Sequence, residues 1–355
     1  MRRFGVAAAL IFAGISAVAP LAMAQSALLN LPLASQAAIV TQRIGITDIT
    51  ITYHRPMVSG RKIFGGLVGY GEVWRAGANQ NTTIQFTDPV SVEGQPLAKG
   101  VYGLHMIPGE NSWVVIFSKN STSWGSFTYS QAEDALRVTV KPRAIPNQEV
   151  LAFDFDDLQP NSAVIILRWS TVEVPFKVEV NTHEIVAQSL RNQLRGRAQF
   201  EWQAWTDAAN YLLNNNFDLE EAAKYADHSI EIEDRFENEM TKSRALNALG
   251  HKQEAQAAYD KAVALGNQSQ LHDFGRTLQA QGHQQEAMAL FRRNIQKDPN
   301  SWIGHNEAAR VAVAQGDYPT ALKEMQLAAN ESPEALKNQH LVLVRRLQNK
   351  EDINR

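Results

Sequence analysis

Three glycines at a near-constant interval, Gly250, Gly282 and Gly316, constrain the second half of this chain more than any other feature. They fall 32 and 34 residues apart. Ala255, Ala287 and Ala321 follow them at the same offset, and Tyr259, Phe291 and Met325 come four residues later. Asp298-Pro299 and Ser332-Pro333 close the last two blocks. A block of this length with helical spacing is one helix pair; it cannot bury its own apolar face and must stack on the next. The glycine allows the tight turn, small residues (Gly275, Ala309, Ala287, Ala321) sit where helices cross closely, and proline ends the second helix. Trp202 to Ile230 reads as a degenerate first repeat whose turn, Asn214 to Asp218, lacks glycine and whose second helix starts near Leu219. Thr182–Ala198 reads as a leading helix that caps the stack, and the stretch from Pro333 as a trailing one. The expectation is an all-α solenoid over 201–335, with a linking helix in 181–200 and a helix or tail in 336–355.

Ahead of this array the period is two. In Ile46 to Tyr53, Ile49, Ile51 and Tyr53 alternate with Thr50, Thr52 and His54, as in a half-buried strand. Tyr102, Leu104 and Met106 repeat the pattern, as do Leu136, Val138 and Val140. Further strands are expected at Thr82–Phe86, Trp113–Ser118, Val150–Phe155, Ala163–Trp169 and Glu173–Val180. Turn residues separate them, among them Glu93-Gly94, Pro108-Gly109 and Pro160-Asn161. Many short strands with regular turns predict an antiparallel β-sandwich, jelly-roll-like, over 35–180, with a barrel as the alternative.

Residues 1–24 have the three parts of a secretory signal: Arg2 and Arg3, an apolar run, and Ala22-Met23-Ala24 before a cleavage site. Gly14, Ser16 and Pro20 interrupt the run, which argues against a spanning anchor. The expected mature chain begins at Gln25, has a short segment 25–34 and no membrane span, and is exported to the periplasm or beyond. Losing Arg2 and Arg3 leaves 32 basic against 37 acidic residues. That mild acidity lacks the basic footprint of a nucleic-acid binder. With no cysteine in the chain, disulfides, thiol catalysis and thiolate metal sites are excluded.

The β half also carries several separated motifs in order: ITYHRP, GRKIFGGLV, YGEVWRAGAN, LAKGVYGLHMIPG, WVVIFSKN, WGSF and LRVTVKP. Over roughly Ser35 to Val180 they resemble the family called domain of unknown function 2911. The resemblance implies an exported protein with tetratricopeptide-like helices behind the β domain, and the helical half resembles those repeats. It implies no activity and no catalytic residues. Gly69 stands where the family commonly has proline, which loosens that turn.

The stretch Tyr53 to Asn79 is the first place to look for a site. It holds Arg55, Arg61, Lys62 and Arg75 against one acid, Glu72, and glycines at 60, 65, 66, 69, 71 and 77. Arg75 offers a planar fork for an oxyanion, Trp74 and Tyr70 offer stacking faces, and Asn79 donates, accepts and tolerates a left-handed backbone. With His105 these residues form the candidate ligand-binding set, for a small anionic or carbohydrate ligand. The structural alternative places Trp74 in the core and pairs Arg75 with Glu72 or Asp88. Alternation puts His54 and His105 on the polar side of their strands, so surface or satisfied histidines are the default, and no ligand spacing such as H-E-x-x-H marks a metal site. Ser59, Ser118, Ser123 and Ser126 lie in no G-x-S-x-G elbow. Asp154, Asp156 and Asp157 read as a solvated strand rather than a calcium site. No cofactor motif is present. The leading functional reading is a binding or scaffolding protein whose repeats hold a protein or peptide partner. The alternative is an envelope hydrolase using His54, Glu72, Arg75 and His105.

Overall fold

The computed structural model describes residues 32–354; the expected signal segment lies outside them. The described chain divides into two compact units, with the boundary between Glu179 and Val180.

The first unit is built from ten strands: β1 (Gln36–Ile44), β2 (Thr47–Arg55), β3 (Thr83–Phe86), β4 (Val90–Val92), β5 (Gln95–Leu97), β6 (Gly100–Ile107), β7 (Trp113–Ser118), β8 (Asp134–Val140), β9 (Arg143–Gln159) and β10 (Ser162–Glu179). They form two open sheets, β1-β2-β3-β6-β7-β8 and β5-β4-β10-β9. Open sheets exclude the barrel and leave the sandwich. Alternation in β2 buries Ile49, Ile51 and Tyr53, and in β6 Tyr102, Leu104 and Met106. These face Leu151, Phe153, Ile165, Leu167 and Phe176 of the smaller sheet, with rings such as Tyr53 and Phe153 meeting edge-on at 5.0 Å.

Two expectations change. Ala163–Trp169 and Glu173–Val180 are one strand, bent at Ser170, whose φ is +54° and on either side of which the register with β9 shifts. Strand β1, with most of its side chains exposed, carried too weak an apolar alternation to be read. Asp154 and Asp156 are half-solvated, and Arg168 pairs with both and with Glu173.

The second unit holds ten α-helices: α1 (Thr182–Gln193), α2 (Trp202–Asn214), α3 (Leu219–Ile232), α4 (Phe236–Ala248), α5 (Lys252–Leu265), α6 (Gln268–Ala280), α7 (Gln284–Ile295), α8 (Trp302–Ala314), α9 (Tyr318–Glu331) and α10 (Glu334–Gln348). The pairs α4–α5, α6–α7 and α8–α9 are the three repeats, with α2–α3 ahead of them. Gly250, Gly282 and Gly316 make the turns with φ of +85°, +86° and +77°, in open space. An alanine at Gly282 meets no neighbour but must hold a left-handed backbone. Gly282→Ala is therefore expected to cost about 1–2 kcal/mol in urea unfolding.

Candidate functional site

The stretch from Arg61 to Asn79 winds over one end of the sandwich and is held by its own backbone. Gly65 (φ +70°) donates to Val68 at 2.9 Å, and Leu67 donates to Lys62 at 3.0 Å, closing a tight turn. Ile63, Phe64 and Val68 anchor that turn in the core. Farther on, Trp74 and Met106 exchange two backbone hydrogen bonds of 2.8 Å, which tie the loop to β6. The Trp74 ring stacks on Trp169 at 5.7 Å, and its indole N–H donates to the Gly77 carbonyl at 3.1 Å.

A cleft of about 440 Å³ opens here, lined by Arg61, Trp74, Arg75, Glu72, Met57 and Trp169 among others. Of the eight candidate ligand residues, Arg61, Trp74 and Arg75 line it. Arg55 instead donates to the Leu151 carbonyl at 2.9 Å, Lys62 is exposed, and Tyr70, also exposed, lays its ring on Gly65. Asn79, left-handed at φ +56°, donates to the Ser35 carbonyl at 3.1 Å. Arg61 donates to the carbonyls of Val58 and Met57.

His105 departs most from expectation. Alternation puts it on the polar face of β6, yet it is 1% exposed. The segment 119–133 covers that outer face of the six-stranded sheet. His105 Nδ1 meets Ser126 Oγ at 2.9 Å, and the ring lies edge-on to Tyr129 at 5.4 Å. Burial pushes the imidazole down to about 4, against the pull of Asp134. Beside it Asn81, also buried, donates to Asn120 O and Ser123 Oγ. Arg75 reaches the same place. It donates to Asn79 O at 2.9 Å, packs on Gly125 and lies over the Phe127 ring at 5.7 Å. Among the described residues no carboxylate stands within 4 Å of its guanidinium, so the expected pairing with Glu72 or Asp88 is not made. Burial lowers the Arg75 pKa. His54 is half-buried with Nδ1 unpartnered, and no hydrogen bond or ion pair joins it, or Glu72, to His105 among the described residues.

A second polar site lies in the helical unit, where the sequence pointed to a protein or peptide partner but singled out no site residue. Helices α6, α8 and α10 enclose a cavity of about 350 Å³ lined by His272, Arg276, Asn306, Arg310, Trp302 and His340. Arg310 is 4% exposed and donates to Asn306 Oδ1 and the Ile353 carbonyl, each at 2.8 Å. Arg276 donates to Gln279. Among the described residues neither guanidinium has a carboxylate within 4 Å, and burial lowers both pKa values. His340, 5% exposed, has no partner for Nδ1. Below the cavity His272 meets Glu307 at 3.1 Å. Burial lowers the histidine to about 4 and raises the carboxyl to about 8, so both stand neutral between those values. A signal for the arginines was present. Arg244, Arg276 and Arg310 each precede a repeat's turn glycine by six residues, a spacing that stacking converts into neighbouring positions on successive first helices.

No curated protein sequence matches the chain. Among solved structures it is similar to YrrB, a TPR protein with an unusual peptide-binding site (15% identity over 47% of this chain and 88% of that one, TM-score 0.27). It is also similar to the Cut9–Hcn1 hetero-tetramer of APC/C (19% identity, 48% and 33% covered, TM-score 0.30) and to MamA (14% identity, 44% and 92% covered, TM-score 0.30). Residues 35–178 match the model of the family described as "Protein of unknown function (DUF2911)". The β unit thus matches the DUF2911 model over residues 35–178, and a tetratricopeptide-like array of helix pairs follows it.

Proposed function

We propose that this is an exported binding and scaffolding protein of the cell envelope, and that its helical array holds an acidic segment of a partner protein. The observation that carries this reading is the α6–α8–α10 cavity, where two guanidiniums with no carboxylate within 4 Å among the described residues converge with the buried His340. A buried arginine whose fork is met only by an amide and a carbonyl leaves donors for a planar oxyanion, and a carboxylate supplies the matching geometry. The cavity has room for one such side chain or chain end, while Trp302 gives it an apolar wall. The β domain, by the same reading, holds a small anionic or carbohydrate ligand in the cleft beside Arg61, Trp74 and Arg75.

Selection of a displayed peptide library on the chain from Gln25 tests the array. Enriched peptides are expected to be acidic, and Arg276→Ala to weaken their binding at least tenfold, since a hydrogen bond to a charged group contributes about 1.5–3 kcal/mol. No enrichment, or enrichment of peptides that bind Arg276→Ala equally well, would sink the reading. For the cleft, a thermal-shift screen of glycans and small anions should find a ligand whose stabilisation disappears in Arg75→Ala; about 2.7 kcal/mol is expected at a hundred times Kd.

A further inference from the structure

We propose that Ser126 is a nucleophile with His105 as its base, so that the outer face of the six-stranded sheet is a site for hydrolysis of carboxylic esters. Three stretches of the chain meet there: Arg75–Asn81, His105 and Ser123–Ser126. The contact between His105 Nδ1 and Ser126 Oγ, 2.9 Å, is within the reach that proton transfer needs.

The surroundings suit that role at each point. His105 sits on β6 beneath the covering segment, 1% exposed, with Tyr129 against its ring, so the imidazole is held in place. A neutral imidazole with its proton on Nε2 presents a lone pair to the Ser126 hydroxyl. Ser126 itself is only half-buried, so an electrophile can approach from solvent while its base stays dry beneath. Trp124 and Phe127 flank it with 59% and 81% of their surface exposed, an apolar lip for an acyl or alcohol group. Gly125 turns with φ +67°, and a Cβ on it would lie 2.3 Å from Arg75 Nη1. The turn thus needs glycine, and it sets a cation with no carboxylate within 4 Å among the described residues one residue from the nucleophile, where negative charge would develop on a carbonyl oxygen. Asn81 is buried, and its Oδ1 accepts from no group. A loop merely pinned to the sheet does not require a half-buried hydroxyl, a cation with no acid within 4 Å among the described residues and a buried base together.

In the reaction, Ser126 Oγ bonds to the ester carbonyl carbon and its proton passes to His105 Nδ1. The C–O bond to the leaving alcohol breaks, and the alkoxide takes the proton from His105. Water then adds to the acyl-serine, its proton moving through His105 to Ser126 Oγ as that bond breaks. The net change is ester plus water to acid plus alcohol.

The test incubates the chain from Gln25 with a fluorophosphonate probe and maps the adduct by peptide mass spectrometry. The expected result is one adduct, on Ser126, absent in Ser126→Ala and formed at least a hundredfold more slowly in His105→Gln. p-Nitrophenyl esters should show a burst of one equivalent that Ser126→Ala abolishes. Because His105→Gln can disturb the buried face, the wild-type result stands alone as the decisive arm. No adduct at Ser126 under excess probe, or labelling of several serines at equal rates, would overturn the proposal.

Discussion

Phe291→Ala is expected to destabilise the helical array by about 3–5 kcal/mol, the range for removing a fully buried aromatic side chain. Phe291 lies on α7 with no exposed surface, and its ring rests directly on the backbone of α6. The contact is so close that a Cβ on Gly275 would stand 2.2 Å from Phe291 Cε1. Glycine is therefore the space into which the ring fits, and removing the ring leaves a cavity that a helix backbone cannot collapse to fill. His272 stacks on the same ring at 5.8 Å, so the wall of the arginine-lined cavity should loosen as well. In a stacked array each pair is stabilised by its neighbours. Urea unfolding should then shift to lower midpoint, and can split into two transitions on either side of α6–α7. A loss below about 1 kcal/mol would show that α6 and α7 do not pack as described. Gly275→Ala gains about 1 kcal/mol of helix propensity, but its Cβ must displace that buried ring at a cost of about 1–3 kcal/mol, so the variant should be destabilised by up to about 2 kcal/mol.

Acid should weaken the β domain well above the range where carboxylates titrate. His105 has a folded pKa of about 4 against an ordinary 6.5, because burial disfavours the imidazolium. The unfolded chain therefore binds more protons than the folded one between those values. The contribution of His105 is fully present above pH 6.5 and falls as pH drops toward 4, by about 3 kcal/mol at the limit. Hydrogen exchange followed by mass spectrometry reads this in the full chain. Peptides from β6 and β7 should lose protection between pH 6.5 and 4 after correction for intrinsic exchange, and His105→Gln should flatten that slope. Unchanged protection across the window would mean that His105 is not desolvated. The array combines two opposite dependences. His272 behaves as His105 does, whereas Glu307, raised to about 8, contributes stability below pH 4.5 that is lost as pH rises through 8. Its peptides should be best protected at intermediate pH.

Much of the architecture was legible because local sequence and fold demand the same pattern. Gly250, Gly282 and Gly316 are turn residues whichever helices surround them, since only glycine holds that backbone without strain. The alternation in β2 survives because one of its faces must be buried against the other sheet. The candidate site was legible only in part. Arg61, Trp74 and Arg75 do share a cleft, but Arg55, Asn79 and Tyr70 spend their polar atoms or rings on neighbouring backbone. Ser126 was visible as a serine and His105 as a strand histidine, 21 positions apart. Nothing in that spacing announces a contact across a loop that doubles back over a sheet.

What the sequence by itself determined was the switch from period two to a helix-pair repeat near Val180, and with it a sandwich followed by a solenoid. Periodicity does this because a strand or a helix must turn its apolar side inward wherever it lies. What only the tertiary structure decided was which polar groups lose water. The outward face of β6 is solvated by its own pattern and becomes dry only when segment 119–133 folds over it. Arg276 and Arg310 look like surface cations on their own helices; Arg310 becomes buried and Arg276 half-buried only when α6, α8 and α10 close around them. Burial of a polar side chain is set by what packs on top of it, and chain segments remote in sequence supply that cover.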